Sequence, residues 1–169
     1  MEMGDMNKRK SELLSCGAVV LMSLALAGCK NEPLAMIVGT YTDECASRGV
    51  YSYFFDQEKG MLVDSGEEGR FEEAPGAVGR VEMRNPSYLT LSADGKFVYA
   101  VSEVGDSTAS AVTLSLDSKT GSMQLLGSEQ TDGKDPCYIS TNGKVVMTAN
   151  YSSGNVTEFP IGDDGRLLP

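Results

Sequence analysis

Apolar and polar positions alternate over short stretches from about residue 33 onward, and no long stretch with a helical 3.6-residue period interrupts them. Such alternation over four to eight residues predicts half-buried β-strands. The predicted strands are rich in β-branched and aromatic residues and end at Gly, Asp, Asn or Pro; they are 35–41, 49–56, 61–64, 87–92, 97–103, 110–117, 122–129, 137–141, 144–151, 154–161 and 166–168. The charged segment 65–84, which contains Pro and Gly, is predicted to be a long surface loop. The chain is therefore predicted to be all-β.

One hairpin pattern occurs twice along the chain. NPSYLTLSADGKFVYAVSE starts at residue 85, and DPCYISTNGKVVMTAN starts at residue 135, each with an Asp-Gly or Asn-Gly turn. A strand followed by a polar turn ending in Gly occurs three times, in GVYSYFFDQEKGML, SAVTLSLDSKTGSMQLL and GNVTEFPIGDDGRLLP. A period of about 50 residues built from four short strands predicts the blades of a β-propeller. A small β-sandwich is the alternative, although it does not account for the repeat.

The repeats divide the chain into just under three blades of four-stranded antiparallel sheet. Residues 35–64 supply strands B to D of a first blade that lacks its inner strand A, 86–129 supply a full blade, and 136–169 supply an incomplete one. Propellers close with about four to eight blades, so we expect a truncated reading frame or an N-terminal fragment of a longer protein, inactive by itself. Open blades expose strand edges and apolar faces, and the fragment is therefore expected to self-associate.

The N-terminus has the pattern of an export signal. Positive residues at 8–10 precede an apolar run at 16–28, which is too short to span a bilayer. The following LAGC, ending at Cys29, resembles the processing site of bacterial lipoproteins. We therefore predict a signal peptide at 1–28, a tether at 29–34 and an exported protein anchored to a membrane by lipid on Cys29. A plain secretory signal or an uncleaved anchor are the alternatives.

Composition restricts the chemistry that the chain can perform. A formal net charge of -10 disfavours nucleic acid as a partner. Histidine is absent, which removes the commonest general base and metal ligand. No metal or cofactor is predicted, and any chemistry would use carboxylates, Lys, Tyr, Cys or Ser. The spacing of Cys45 and Cys137 does not indicate whether they form a disulfide.

From about residue 36 onward the chain resembles the lactonase family of seven-bladed β-propellers, which includes the bacterial propeller-type 6-phosphogluconolactonases. The motifs that carry this resemblance are GTYT, GVYSYFFDQEKGML, NPSYLTLSADGKFVYAVSE, Pro136-Cys137 and TANYSSGNVTEFPIGDDGRL. The resemblance implies a carboxylic-ester hydrolase that opens a small sugar lactone to an aldonate. It also implies that the His, Glu and Arg of the family site lie in later blades. No catalytic residue is therefore assigned here, and Tyr138 stands where the family often has His.

Three residues are candidates for binding substrate, because equivalent strand ends lie at one rim of a propeller. Glu103 ends one B strand, and Asn150 and Tyr151 end the matching strand of the next blade. The alternative interpretations are a solvated loop residue for Glu103 and turn formation for Asn150-Tyr151. A second function remains open at this point, namely a surface lipoprotein that binds a glycan or a protein and catalyses nothing.

Overall fold

The computed structural model describes residues 20–23, 32–64, 66 and 70–169, and every regular element in them is a β-strand. No helix that could cross a membrane occurs in these described ranges. The all-β prediction is confirmed. The strands are β1 Val20–Ser23, β2 Leu34–Gly39, β3 Gly49–Asp56, β4 Met61–Leu62, β5 Gly79–Glu82, β6 Leu89–Leu91, β7 Phe97–Ser102, β8 Ser110–Leu116, β9 Met123–Gln130, β10 Pro136–Thr141, β11 Val145–Asn150 and β12 Asn155–Pro160.

The strands form three antiparallel sheets that follow one another along the chain. The first sheet contains β1 to β5, the second β6 to β9, and the third β10 to β12. The repeated hairpin appears as β6–β7 and β10–β11, and its turns place Gly95 and Gly143 at φ of 69° and 86°. Glycine adopts these left-handed conformations without the steric cost that a Cβ would bring. After β12, the chain adds only an isolated bridge between Ile161 and Leu167.

The inner edge of the first sheet is occupied. The sequence predicted a first blade without its inner strand, whereas β1 pairs antiparallel with β2, from Val20 opposite Gly39 to Ser23 opposite Met36. The unpaired backbone groups along an edge strand favour such pairing with another extended segment. The rest of the predicted signal peptide, and Cys29, lie outside the described residues. If the predicted signal peptide were cleaved before Cys29, β1 would be removed and this edge of β2 would be unpaired.

The prediction of a surface loop over 65–84 is wrong in part. Residues 79–82 form β5, which pairs with the first half of β3, while β4 pairs with the end of β3. Ala74 and Ala77 are 1% and 2% exposed, so part of the segment is buried. The charged and Gly-rich composition suggested a solvated loop, but small side chains can be buried wherever an apolar face is available.

Apolar side chains between successive sheets form the core. One cluster joins the first sheet to the second through Ile37, Val50, Val81, Leu89, Val98, Ala100, Val112, Leu114, Leu116 and Met123. Another joins the second sheet to the third through Tyr99, Val101, Ala111, Ile139, Val146, Phe159 and Leu167. Because the strand alternates its side chains, β7 supplies Val98 and Ala100 to one cluster and Tyr99 and Val101 to the other. The three sheets are therefore stacked face to face.

The two cysteines of the strand-rich region do not bond to each other. Cys137 is a free thiol that is partly buried. The Cys137 Sγ lies 3.8 Å from the carbonyl oxygen of Ala149 and can donate a weak hydrogen bond to it.

Candidate functional site

A carboxylate held by two hydroxyl groups lies where the first and second sheets meet. The Oε2 atom of Glu103 accepts hydrogen bonds from the Tyr41 hydroxyl, at 2.9 Å, and from the Ser87 hydroxyl. We call these three residues the hydroxyl–carboxylate cluster. Within the part of the chain that the structure describes, no hydrogen bond reaches the other oxygen, Oε1. Because Glu103 is only partly buried, Oε1 can accept a hydrogen bond from a ligand.

Three separate segments supply this cluster. Tyr41 follows β2, Ser87 precedes β6, and Glu103 directly follows β7. The segments can approach each other because Gly39 has no side chain. A Cβ at that position would lie 2.1 Å from the carbonyl oxygen of Pro86, which no real contact allows.

Tyr41 donates to the carboxylate in its protonated form. Partial burial raises the pKa of Tyr41, and the hydrogen bond to the Glu103 carboxylate together with its negative charge raises that pKa further. The phenol therefore remains protonated at neutral pH, where it can keep Glu103 in one orientation.

Asn85 ties the loop after β2 to the end of β7. Its Oδ1 accepts hydrogen bonds from the backbone N–H groups of Thr42, at 2.9 Å, and Asp43, at 3.1 Å. Its Nδ2 donates to Asp43 Oδ2 at 2.9 Å and to the carbonyl oxygen of Glu103 at 3.1 Å. Asn85 has a φ of 45°, a conformation that asparagine adopts more readily than most residues. Asn85 thus holds the backbone on both sides of the cluster.

The neighbouring Arg84 is already paired with two carboxylates. Its Nε and Nη2 each donate to Asp43 at 3.1 Å, and its Nη1 donates to Asp106 at 3.3 Å. The hydrogen bonds from Arg84 and Asn85 lower the pKa of Asp43. The guanidinium charge is therefore balanced locally, which weakens its attraction for an anionic ligand. Nowhere in the described ranges do three or more Cys, Asp or Glu side chains form a group that could hold a metal ion.

The structure gives Asn150 a packing role. Its side chain is 2% exposed, its Oδ1 accepts from Thr148 Oγ1 at 3.2 Å, and its Nδ2 donates to Thr157 Oγ1 at 3.0 Å. The backbone of Gly133 lies so close that a Cβ there would be 2.4 Å from Asn150 Nδ2. These contacts join β11 to β12 and to the segment before β10, and Asn150 makes no hydrogen bond to Glu103.

Tyr151 is placed differently from its neighbour. It is 81% exposed, and its backbone N–H donates to the carbonyl oxygen of Asp135 at 2.9 Å. Glu103 makes the matching bond to the carbonyl oxygen of Asn85 at 3.1 Å, so the two residues occupy equivalent positions in successive sheets. Tyr138, also exposed, lies against Tyr88 with ring centroids 4.7 Å apart.

Two members of the cluster were not predicted from the sequence. Tyr41 occupies the same place after β2 that Glu103 and Tyr151 occupy after β7 and β11. Ser87 follows Pro86 in the same way that Cys137 follows Pro136. This repeat in the sequence could have indicated Ser87. Extending the repeat to the first sheet would have identified Tyr41, but only the structure shows that its hydroxyl contacts Glu103.

Known proteins resemble this chain over most of its length. The chain matches curated 6-phosphogluconolactonase of Bacillus subtilis with 31% identity over 132 residues, which cover 77% of this chain and 34% of that protein. A solved structure of a putative 6-phosphogluconolactonase from Bacteroides fragilis superposes with a TM-score of 0.72 at 41% identity, covering 86% of this chain and 36% of that one. The chain therefore spans about a third of the length of these relatives.

A third relative has a stated cellular compartment. The Pseudomonas aeruginosa periplasmic gluconolactonase superposes with a TM-score of 0.66 at 30% identity, covering 80% of this chain and 36% of that one. The family described as "Lactonase, 7-bladed beta-propeller" matches residues 35–169, which include all three sheets apart from β1 and the first residue of β2. This chain belongs to that lactonase family of seven-bladed β-propellers.

Proposed function

We propose that the complete protein hydrolyses a sugar lactone to the corresponding aldonate and that this chain supplies part of the binding site. The names of the relatives support the reaction, since two of those described are 6-phosphogluconolactonases by name and one is a gluconolactonase. The chain spans 34% of the curated Bacillus relative, so the activity belongs to a protein with more blades than the three sheets described.

Hydrolysis of a lactone places specific demands on the site. Water adds to the carbonyl carbon, the ring C–O bond breaks, and the departing alkoxide takes up a proton. A base must activate the water, and a positive or hydrogen-bonding group must stabilise the oxyanion. We assign neither role to this chain. Glu103 Oε1 is instead suited to accept a hydrogen bond from a hydroxyl group of the sugar, because Tyr41 and Ser87 fix the carboxylate through its other oxygen.

An unphosphorylated lactone fits the described residues better than a phosphorylated one. Glu103 contributes a negative charge, and the nearby Arg84 is already paired with Asp43 and Asp106. The Glu103 carboxylate would therefore repel a phosphate group placed close to this cluster. The name of the Pseudomonas relative, a periplasmic gluconolactonase, supports the same substrate class.

The role of Glu103 can be tested in the complete protein with Glu103→Ala. Losing a hydrogen bond to a charged group costs about 1.5–3 kcal/mol, so we expect kcat/KM for a gluconolactone to fall by roughly 10- to 150-fold. The loss should appear mainly in KM, because the bond forms with the bound substrate as well as in the transition state. The measurement is the rate of acid release at several lactone concentrations.

Glu129→Gln, a change on the outermost strand of the same sheet, is the control for loss of a negative charge and should leave both constants unchanged. An unaltered kcat/KM in Glu103→Ala would remove Glu103 from the site. A loss confined to kcat would indicate a role in the chemical step and not in binding.

A non-catalytic binding function is the second candidate, and exposed aromatic residues favour it. Tyr138 and Tyr151 are 46% and 81% exposed, and sugar rings pack on such surfaces through their apolar faces. Tyr138 also stands where the family resemblance led us to expect histidine. Binding of an aldonolactone to the complete protein without any hydrolysis would favour this second function.

We further propose that the protein is exported and carries a lipid on Cys29. The order of positive residues, apolar run and LAGC supports this, as does the periplasmic location stated for the Pseudomonas relative. In a bacterial host, Cys29→Ala is expected to abolish incorporation of labelled palmitate and to release the protein from the membrane fraction. Cys137→Ala is the matched control, and labelling that persists in Cys29→Ala would refute the anchor.

A further inference from the structure

One residue contacts all three segments that supply the hydroxyl–carboxylate cluster. The carbonyl oxygen of Asn85 accepts hydrogen bonds from the backbone N–H groups of Ser87, at 2.8 Å, and Glu103, at 3.1 Å. The Asn85 side chain reaches the loop after β2, where its Oδ1 accepts from the N–H of Thr42, the residue directly after Tyr41. Asn85 is therefore bonded to two members of the cluster and to the chain neighbour of the third.

The groups around the Asn85 side chain match an amide. Its Oδ1 faces the backbone N–H donors of Thr42 and Asp43, whereas its Nδ2 faces two acceptors, the Asp43 carboxylate at 2.9 Å and the Glu103 carbonyl oxygen at 3.1 Å. Only a side chain that accepts on one side and donates on the other satisfies all four groups. Asn85 is 6% exposed, so water can replace few of these bonds. An aspartate at this position would keep the accepted bonds and lose both donated ones.

The third sheet forms the same backbone arrangement without an amide group. Asp135 precedes a proline, as Asn85 does, and the φ angles of the two residues are 52° and 45°. The carbonyl oxygen of Asp135 accepts from the N–H of Tyr151 at 2.9 Å, which matches the bond from Glu103 to Asn85. An ionised carboxylate, however, has no hydrogen to donate. The fold therefore accepts a carboxylate at this repeat position, and the amide of Asn85 serves a need that is particular to Glu103.

The amide of Asn85 helps to set the direction of the Glu103 carboxylate. Glu103 directly follows β7, and its backbone is held on both sides, because its N–H donates to Asn85 and its carbonyl oxygen accepts from Asn85. With the backbone held, the hydrogen bonds from the Tyr41 and Ser87 hydroxyls to Oε2 also fix the position of Oε1. Without the bond from Nδ2, the peptide group after Glu103 gains freedom to rotate, and the carboxylate is oriented less precisely.

We propose that Asn85 is a positioning residue for the lactone site, and that the NH2 group of its side chain performs this role. The role rests on the proposed function, because it concerns how Glu103 Oε1 is presented to a hydroxyl group of the sugar. Asn85 is buried and acts through the backbone of Glu103. Its effect on substrate binding should therefore disappear when the Glu103 side chain is removed.

Asn85→Asp in the complete protein tests this role, because the substitution replaces the NH2 group by an oxygen at nearly constant volume. Asp135 shows that an aspartate can adopt the required backbone conformation. We expect KM for a gluconolactone to rise roughly 2- to 12-fold, the range for losing the uncharged hydrogen bond to the Glu103 carbonyl oxygen, with a smaller change in kcat. In the Glu103→Ala background, adding Asn85→Asp should leave KM within about twofold of that of Glu103→Ala alone.

Asn142→Asp is the matched control, since it makes the same chemical change in the turn between β10 and β11. The Oδ1 of Asn142 accepts from the backbone N–H groups of Lys144 and Val145, and within the described residues its NH2 group has no acceptor. This variant should leave KM and kcat unchanged. Asn85→Gly permits the positive φ and adds no charge, so it should also raise KM, and it replaces Asn85→Asp if that variant does not fold.

Hydrogen exchange separates the positioning role from the proposed function. The N–H of Glu103, which donates to Asn85, should exchange faster in Asn85→Asp than in Asn142→Asp, with or without substrate. Three results would each overturn the positioning role alone: exchange as slow as in Asn142→Asp, a wild-type KM in both Asn85 variants, or an undiminished rise of KM in the Glu103→Ala background. A complete wild-type protein that neither binds nor hydrolyses a lactone would overturn the proposed function, and the positioning role with it.

Discussion

Leu114→Ala is expected to lower the free energy of unfolding by about 2–5 kcal/mol. Leu114 is 0% exposed in β8 and belongs to the apolar cluster that joins the first sheet to the second. Truncation removes its buried methyl groups and leaves a cavity, because neighbouring strands restrained by their hydrogen bonds can close the space only in part. Urea unfolding of the full chain, followed by far-ultraviolet circular dichroism, measures the change as a lower midpoint at a similar slope.

Leu125→Ala provides a control that differs mainly in burial. Leu125 lies on β9 directly opposite Leu114, but it is 56% exposed. The same substitution should therefore cost well under about 1 kcal/mol. If Leu114→Ala and Leu125→Ala lowered the free energy of unfolding equally, the core between the first and second sheets would not be the main source of stability of the described fold.

Gly39→Ala is expected to disturb both the stack of sheets and the hydroxyl–carboxylate cluster. The added Cβ would lie 2.1 Å from the carbonyl oxygen of Pro86 and 3.3 Å from the Leu89 side chain. The obstructing atom belongs to the backbone, so the end of β2 and the segment before β6 must move apart, at a cost of about 1–3 kcal/mol or more. Since Tyr41 lies just after Gly39 and Ser87 just after Pro86, their bonds to Glu103 should lengthen.

Two measurements on Gly39→Ala separate these effects. The unfolding midpoint should fall, and in the complete protein KM for the lactone should rise as Glu103 loses its fixed orientation. Gly127→Ala on β9 is the matched control, because nothing lies within 4 Å of the added Cβ there. A Gly39→Ala protein as stable and as active as Gly127→Ala would show that close approach at Gly39 is not needed.

The strands and their repeat could be predicted because both depend on local patterns. The alternation in FVYAVS became β7 with its side chains divided between two cores, and the Asp94-Gly95 and Asn142-Gly143 turns became the predicted hairpins. The outer strand of the first sheet was predicted only in part. β5 is a four-residue segment after a long charged insertion, and its pairing partner, β3, lies about 30 residues earlier.

The sequence could place the candidate site only at the ends of strands. The repeat matched Glu103 with Asn150-Tyr151 at the ends of two strands, but it could not distinguish the exposed Tyr151 from the adjacent, buried Asn150. Asn150 is buried because Thr148 and Thr157 satisfy its amide group, and Thr157 comes from a different strand. Hydrogen-bond partners that come together only when strands pair leave no signature in local sequence.

The sequence by itself determined the all-β class, the repeat and the family, because side-chain alternation, turn residues and motif spacing are properties of neighbouring positions. Tertiary structure alone decided which residues surround Glu103, since Tyr41, Ser87 and Glu103 meet only when the first sheet stacks on the second. It also decided that residues 70–78 cover the first sheet. Their composition is that of a solvated loop, and Ala74 and Ala77 are buried because they pack in one apolar cluster with Val38, Tyr51 and Tyr53 of the first sheet.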